Sequence, residues 1–230
     1  CYGLDIGTDL PSLINQVSQI PEKFKVRVGM MNPMFMPRIR NNLLKSFEND
    51  KVFRFLHVPV QSGSNNVLNH MKRGHTVETF RNVVRKFRAK FDSFTISTDI
   101  IVGYPTETQE DFEKTIELLN ETRPDIVNLS RYSQRPGTEA AEMTQLDVLE
   151  VKKRSKQVSE LVNSISLKNN KKWIGWKGEV LFDENLDNQI KGRNFAYKPI
   201  FVKEVSEIGQ TRMVKIVDAT NHSLIGEIAS

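Results

Sequence analysis

The sequence predicts an α/β fold with a parallel sheet, followed by a small all-β barrel. Two observations carry this prediction. Strand-like runs alternate with amphipathic helical runs over the first part of the chain, whereas short alternating runs separated by Asn, Asp and Gly turns fill the last part. Strand–helix units in series favour a parallel sheet with right-handed crossovers. Several short strands close together are typical of a small barrel.

Four strand-like segments are predicted in the first part. They are Lys25–Gly29, Val52–Val60, Ser93–Val102 and Asp125–Ser130. Apolar residues at helical spacing predict the helices between them. These helices are Pro37–Glu48, one beginning near Ser64 or Asn65, Thr79–Phe91 and Thr108–Thr122.

Polar, glycine or proline residues follow all four strands. They are Asn32-Pro33, Gln61-Ser62, Gly103-Tyr104-Pro105 and Arg131-Tyr132. Each pair or triplet alone is consistent with a simple turn. Because the carboxyl ends of parallel strands meet at one edge of the sheet, four such ends in phase favour a functional site there.

The second part of the chain begins after a long, charged, amphipathic helix over 145–171, which we interpret as a connector. Five strands are predicted beyond it. They are Gly178–Phe182, Gln189–Lys191, Pro199–Val205, Arg212–Val217 and Ser223–Ile228. The predicted organisation is therefore a sheet portion over 1–145, a connector over 146–172 and a barrel over 173–230.

Composition narrows the class of protein. The chain has 230 residues, 38% of them hydrophobic, which is enough for a packed core. No run approaches the roughly 20 apolar residues of a membrane span, and no signal segment opens the chain. We therefore expect a soluble, cytoplasmic protein without a membrane partner. The net charge of +5 suits an anionic partner, although two solvated basic helix faces would also produce it.

Metal-binding residues are sparse in the sequence. Cys1 is the only cysteine, so a disulfide within this chain and an all-cysteine metal site are both excluded. His57 lies between apolar neighbours and is interpreted as a hydrogen-bonded core residue. No metal site is assigned to this chain.

Three strand ends carry candidate ligand-binding residues. Gln61 and Ser62 either hydrogen-bond a ligand or serve the start of the next helix, and the pattern does not decide between these roles. Asp99 lies in an apolar strand, where an unpaired carboxylate is costly. Gly103 lets the backbone approach a flat ligand closely. Arg131, which follows the fourth strand, suits a carboxylate or phosphate.

A second group of candidates lies in the predicted barrel. Arg193, Phe195, Tyr197 and Lys198 combine positive charge with aromatic rings in one short stretch. This mixture is typical of stacking and phosphate contacts with nucleic acid. Alternatively, Phe195 and Tyr197 lie on one face of a strand and belong to the barrel core.

Several motifs resemble those of a known family. The segments HVPVQSGSNNVLNHMKRGHT (57–76), TDIIVGYPTETQEDF (98–112) and SRYSQRPGTEAAEM (130–143) resemble consecutive motifs of radical-SAM methylthiotransferases. The segment GEVLFDE and the later GRNFAYKPIFV resemble the TRAM domain that ends those enzymes. The resemblance covers essentially the whole chain, in the order of the family.

This resemblance implies a partial, TIM-like radical-SAM barrel followed by an OB-like TRAM barrel. It implies S-adenosylmethionine as the cofactor, with Gln61 and Ser62 near its ribose and methionine moiety. Asp99, Ile101 and Gly103 would surround its adenosine, and Arg131 would lie beside it. The four barrel residues named above would hold tRNA at its anticodon stem-loop.

The resemblance is greatest to the archaeal and eukaryotic branch of the family. That branch methylthiolates carbon 2 of N6-threonylcarbamoyladenosine at position 37, next to the anticodon. Three alternatives stay open. The chain could be a tRNA-binding module without catalysis, or a methylthiotransferase for isopentenyladenosine in tRNA, or one for a ribosomal protein.

One departure from the family is large. The family binds its 4Fe–4S clusters through a CxxxCxxC motif and three further cysteines in an N-terminal domain, and this chain contains neither set. Cys1 matches no cluster ligand. We therefore expect a C-terminal portion of a longer enzyme, inactive without its N-terminal cluster-binding part. A smaller departure is Thr106, which stands where the family has glycine.

Overall fold

The computed structural model describes residues 2–203 and 207–229. The sheet portion contains, in chain order, α1 (Leu10–Ser18), a 3-10 turn (Pro33–Phe35), α2 (Met36–Ser46), β1 (Phe55–His57), α3 (Asn65–His70), α4 (Val77–Lys90), β2 (Thr95–Val102), α5 (Gln109–Thr122), β3 (Ile126–Arg131) and α6 (Glu139–Glu142), and the connector helix α7 (Val148–Lys171) follows it. Cys1 and the end of the predicted strand Pro199–Val205 lie outside the described residues.

Three parallel strands form the sheet, in the order β1-β2-β3. The parallel sheet is confirmed, but the prediction of a first strand over Lys25–Gly29 is wrong. That segment makes one isolated parallel bridge, Val26 with Val52, and Met30 just after it makes another with His57. A tight turn interrupts the ladder between them, since the N–H of Phe55 donates to the carbonyl of Phe53 at 2.7 Å.

The strand predicted over Val52–Val60 is likewise shorter than expected. It forms a ladder only over Phe55–His57. Pro59 has no N–H to donate to a neighbouring strand, which ends regular pairing. Pairing resumes at Gln61, which bridges Ile100 of β2.

The main core lies between one face of the sheet and the helices. Ile96, Ile100 and Val102 of β2 are fully buried there, against Phe87 and Phe112 of α4 and α5. Full burial of a side chain of this size contributes about 1.5–3 kcal/mol. Because strand side chains alternate, the residues between them point to the opposite face, where the candidate site is found.

The last part of the chain is a closed five-stranded barrel in the order β4-β5-β6-β8-β7. Its strands are β4 (Lys177–Leu186), β5 (Gln189–Arg193), β6 (Pro199–Val202), β7 (Thr211–Ala219) and β8 (Leu224–Ile228). Its interior is apolar, with Val180, Phe182, Ile190, Ile200 and Val214 almost completely buried. The predicted small all-β barrel is therefore confirmed.

The barrel contacts the amino-terminal edge of the sheet. The hydroxyl of Thr95, the first residue of β2, donates to the carbonyl of Ala196 at 2.7 Å. The Nζ of Lys198 lies 2.8 Å from Oδ1 of Asp125, just before β3. In the part of the chain that the structure describes, no helix is long and apolar enough to cross a membrane.

Candidate functional site

A cavity of about 900 Å³ lies at the carboxyl edge of the sheet. Its volume is within the range of about 300–1,000 Å³ typical of ligand pockets. Four of the residues predicted to bind a cofactor line it: Gln61, Asp99, Ile101 and Arg131. The structure thus brings together residues from the ends of all three strands.

Gln61 connects the end of β1 to β2. Its N–H donates to the carbonyl of Asp99 at 2.8 Å, and its carbonyl accepts from the N–H of Ile101 at 2.9 Å. Its φ is +75°, a left-handed conformation that costs a non-glycine residue about 1–3 kcal/mol and is common at functional sites. Gln61 therefore belongs to the cavity wall, and the helix cap position is taken by Ser64.

Ser62 and Gly103 lie behind this wall rather than in it. Ser62 is fully buried, and its Oγ accepts from the N–H of Ser64 at 3.1 Å. Gly103 has φ +78° and donates its N–H to Oε1 of Glu107 at 3.2 Å. Neither residue is among those that line the cavity, and the place predicted for them around the cofactor stays a prediction.

Asp99 is held by two hydrogen bonds within the cavity. Its Oδ1 lies 2.7 Å from Nε2 of His57 and accepts from Nδ2 of Asn128 at 2.8 Å. Burial raises the pKa of Asp99, but the hydrogen bonds from His57 and Asn128 outweigh it, and the net pKa lies below the ordinary value. Asp99 is therefore a carboxylate at neutral pH. His57 is hydrogen-bonded, as expected.

Part of the cavity lining is basic. Arg73, Arg131 and Arg135 all line it. Burial, followed by the nearby charge of Arg135, lowers the pKa of Arg73. The buried Nε of Arg73 and hydroxyl of Tyr132 find no hydrogen-bond partner among the described residues. Buried polar atoms normally have partners, so these two atoms leave hydrogen-bonding capacity unused beside the cavity.

The predicted RNA-binding residues of the barrel lie at the other end of the sheet and divide into two pairs. Arg193 and Phe195 line a separate groove. The ring of Tyr197 packs against Phe53 and Phe55. Lys198 is only 3% exposed and pairs with Asp125, so its position corrects the prediction that it contacts phosphates from the surface.

Comparison with known proteins identifies the family to which this chain belongs. The family model of the radical SAM superfamily matches residues 5–119. The chain belongs to the radical SAM superfamily. The resemblance found in the sequence motifs is thereby confirmed at the level of the superfamily.

Curated relatives of this radical SAM chain match along its whole length. It is 46% identical to the "Probable threonylcarbamoyladenosine tRNA methylthiotransferase" of Archaeoglobus fulgidus, over 100% of this chain and 54% of the relative. It is 44% identical to the protein of the same name from Methanocaldococcus jannaschii, over 99% and 52%. It is 38% identical to the "Threonylcarbamoyladenosine tRNA methylthiotransferase" of Xenopus laevis, over 98% and 41%. The chain spans about half the length of the curated relatives it matches.

The cavity fits the cofactor after which the superfamily is named. S-adenosylmethionine carries a carboxylate, ribose hydroxyls and a flat adenine. The cavity offers the guanidinium of Arg73 for a carboxylate, the carboxylate of Asp99 for hydroxyls, and Ile101 and Tyr132 as apolar surface for a ring. The residues present therefore fit this molecule.

The described residues do not fit an iron–sulfur cluster. Over 2–203 and 207–229, no group of three or more His, Cys, Asp or Glu side chains could hold a metal ion. A cluster that works beside this cavity would therefore need ligands from outside these ranges.

Sequence reasoning assigned no ligand role to Arg73 and Asn128, and it placed Tyr132 only at the end of the fourth predicted strand. Lys72 has φ +55° and Gly74 has φ +68°, and this turn directs Arg73 toward the cavity. No residue pattern in the sequence indicates that turn. The basic pair Lys72-Arg73 was the one sequence feature that pointed to positive charge in this segment. Asn128 lies directly beside Asp99 in the parallel pairing of β2 and β3. The sequence does not reveal this register, and without it Asn128 could not be identified.

Proposed function

We propose that this chain is the cofactor-binding and RNA-binding portion of a tRNA methylthiotransferase. The reaction is methylthiolation of carbon 2 of N6-threonylcarbamoyladenosine at position 37 of tRNA. One observation carries this proposal: 37–46% identity across the whole chain to archaeal and animal proteins named as threonylcarbamoyladenosine tRNA methylthiotransferases. The protein acts in the cytoplasm, where it meets tRNA.

The cavity at the carboxyl edge holds S-adenosylmethionine in this proposal. Gln61, Asp99, Ile101 and Arg131 bind it, together with Arg73 and Tyr132. Ser62 and Gly103 fix the strand ends that carry these residues. When bound beside a reduced cluster, the cofactor supplies the radical and the methyl group. The chain orients it, and Asp99 remains charged at neutral pH because of its two hydrogen bonds.

The 4Fe–4S clusters belong, in this proposal, to the N-terminal part that accompanies this chain in the whole enzyme. The described residues offer no ligand set for them. The chain alone is therefore expected not to cleave S-adenosylmethionine. Anaerobic reconstitution with iron and sulfide tests this expectation, and 5′-deoxyadenosine among the products would contradict it.

The closed barrel over 173–230 is proposed to be an OB-like TRAM domain that binds the anticodon stem-loop, with 146–172 as connector and 1–145 as the radical SAM portion. Arg193 and Phe195 stay candidates for RNA contact. Lys198 and Tyr197 act indirectly, by joining the barrel to the sheet.

The test of this function is a nucleoside analysis of tRNA from cells in which the gene for this chain is deleted. The proposal predicts loss of the 2-methylthio derivative and accumulation of N6-threonylcarbamoyladenosine. Restoration by the wild-type gene, but not by one encoding Asp99→Ala, assigns the activity to the cavity. An unchanged nucleoside profile would overturn the proposal, and loss of a methylthiolated isopentenyladenosine would redirect it to that substrate.

A further inference from the structure

A groove of about 480 Å³ lies between the barrel and the amino-terminal edge of the sheet. Its walls include Arg54, which directly precedes β1, and Trp176, Asn194 and Phe195 from the barrel. The central strand β2 spans eight residues, or about 25 Å at 3.3 Å per residue. The groove is therefore well separated from the cavity at the carboxyl edge.

The side-chain amide of Asn194 has a hydrogen-bonded oxygen and a nitrogen without a partner among the described residues. Its Oδ1 accepts from the N–H groups of Ala196 and Lys198, both at 3.1 Å. These two donors determine which way the amide points. Its Nδ2 is buried and has no hydrogen-bond partner among the described residues, although Asn194 is only 1% exposed. Such an unsatisfied donor is destabilising unless a ligand supplies an acceptor.

Aromatic rings lie beside this free donor. The ring of Trp176 is half-buried, with its centroid 6.1 Å from that of Phe195 and 5.6 Å from that of Trp173. The two tryptophans are the only ones in the chain. A surface of this kind stacks flat rings without strong preference for their identity.

Arg54 places a positive charge next to the rings, in a groove that Asp50 and Glu179 also line. The guanidinium of Arg54 lies 5.3 Å from the centroid of Phe195 and 5.1 Å from that of Phe91. No carboxylate in the described ranges forms an ion pair with Arg54, whereas Arg193 is paired with Asp183. Arg54 thus combines a stacking surface with a charge that is open to a phosphate.

We propose that this groove binds a single unstacked nucleotide of RNA. The base packs against the rings of Trp176 and Phe195, which are inclined by 52° to each other. An acceptor on its edge receives the Nδ2–H of Asn194, and its phosphate lies near Arg54. Because Oδ1 is already occupied, Asn194 presents only donors and selects base edges that carry an acceptor. This inference rests on the proposed function, since it supplies a second contact for the tRNA whose target nucleoside lies at the opposite edge of the sheet.

The two tryptophans provide the measurement. The chain is titrated with four RNA pentanucleotides, each of a single base, while tryptophan fluorescence is followed. We expect saturable quenching by at least one of them. Asn194→Asp keeps the acceptor for Ala196 and Lys198 but removes the donor, and should weaken binding about tenfold, the size of one lost hydrogen bond to a buried donor. The loss should persist at high salt, which screens the added charge.

A second variant covers the case in which Asn194→Asp does not fold. A Cβ at Gly178 would come 2.3 Å from Cζ2 of Trp176, so Gly178→Ala displaces that ring without changing a polar group. This variant should weaken binding about fivefold, because it removes part of the stacking contribution. Arg85→Ala, which removes an exposed charge outside the groove, is the control and should leave the quenching unchanged.

Absence of quenching by all four pentanucleotides, or quenching that both variants leave unchanged, would overturn the inference. The proposed function is judged separately by the nucleosides of the deletion strain. If those change as predicted while the groove variants bind RNA normally, the groove inference fails and the proposed function stands.

Discussion

The guanidinium of Arg154 donates to the carboxylate of Glu107 at 2.6 Å, and both side chains are almost completely buried. Arg154 belongs to the connector helix α7, and Glu107 to the loop after β2. Glu107 also accepts from the N–H of Gly103 at 3.2 Å. The connector therefore holds the loop at the end of the central strand, directly behind the cavity.

Removal of Arg154 should destabilise the protein strongly. Arg154→Met leaves the buried carboxylate of Glu107 without its counter-charge, and loss of one partner of a buried pair costs about 3–5 kcal/mol. Urea denaturation followed by circular dichroism measures the free energy of unfolding. Lys153→Met, at an exposed position of the same helix, is the matched control and should change it by less than about 0.5 kcal/mol. Equal effects of the two substitutions would contradict the structural role of the pair.

Gly103 and Gly137 allow a comparison of crowding at constant backbone conformation. Both have φ +78°. A Cβ at Gly103 would lie 2.6 Å from Cγ2 of Val151, whereas one at Gly137 would meet nothing within 4 Å. Each alanine substitution carries the left-handed penalty of about 1–2 kcal/mol, and overpacking adds about 1–3 kcal/mol at Gly103 alone. A thermal denaturation in which Gly137→Ala is the more damaging would refute the packing of α7 on this loop.

Asp111 should make the free energy of unfolding depend on pH in the acidic range. Burial raises its pKa, but hydrogen bonds from Ser64 and Thr108 outweigh burial, so the net pKa lies below the ordinary value of 3.8. A carboxylate with a lowered folded pKa contributes stability that is complete above its unfolded pKa and is lost as the pH falls through the folded pKa. Asp111→Asn should therefore be less stable than wild type at pH 7, by about 0.5–2 kcal/mol for a lost cap. The difference should shrink below pH 3.8.

Urea denaturation at a series of pH values measures this dependence. The exposed Glu117→Gln on the same helix is the control, and it should follow the wild-type curve. A constant difference between wild type and Asp111→Asn at all pH values would show that Asp111 does not carry the charge in this network.

Lys198 should matter for stability and not for phosphate contact. Lys198→Met leaves the carboxylate of Asp125 without the Nζ that lies 2.8 Å away, at a cost of about 3–5 kcal/mol. Its effect on the salt dependence of anticodon stem-loop binding should be absent, because each phosphate contact contributes about 0.7–0.9 to the slope of log affinity against log salt. The control Lys215→Met lies at an exposed position. A slope reduced by about 1 in Lys198→Met would restore the phosphate role predicted from the sequence.

Local pattern was sufficient to predict much of this fold. The predicted strand Ser93–Val102 is observed as Thr95–Val102, and the predicted helix Thr108–Thr122 as Gln109–Thr122. Both segments have strong periodicity and clear ends, such as the capping box of Thr108 and Asp111. The strand prediction for Lys25–Gly29 was wrong because a strand needs a continuous neighbouring strand to pair with. The turn at 53–55 interrupts that neighbour.

The candidate site was only partly visible for a related reason. Gln61, Asp99 and Arg131 were found because they follow or lie within predictable strands, whereas Ile101 came only from the family resemblance. Arg73 lies in the cavity because Lys72, just before it, has a left-handed backbone conformation. Helix and strand periodicity cannot predict such a conformation. Lys198 was misjudged because its burial depends on contact between two distant parts of the chain, 73 residues apart at Asp125.

The central claim is that the cavity at the carboxyl edge binds S-adenosylmethionine, and equilibrium dialysis of the purified chain with the radiolabelled cofactor tests it most directly. We expect saturable binding that Asp99→Ala and Arg73→Ala each weaken about tenfold, because each removes a charged contact. Gly178→Ala, at the distant groove, should leave it unchanged. The absence of saturable binding at millimolar cofactor, or binding that both cavity variants leave intact, would contradict the claim.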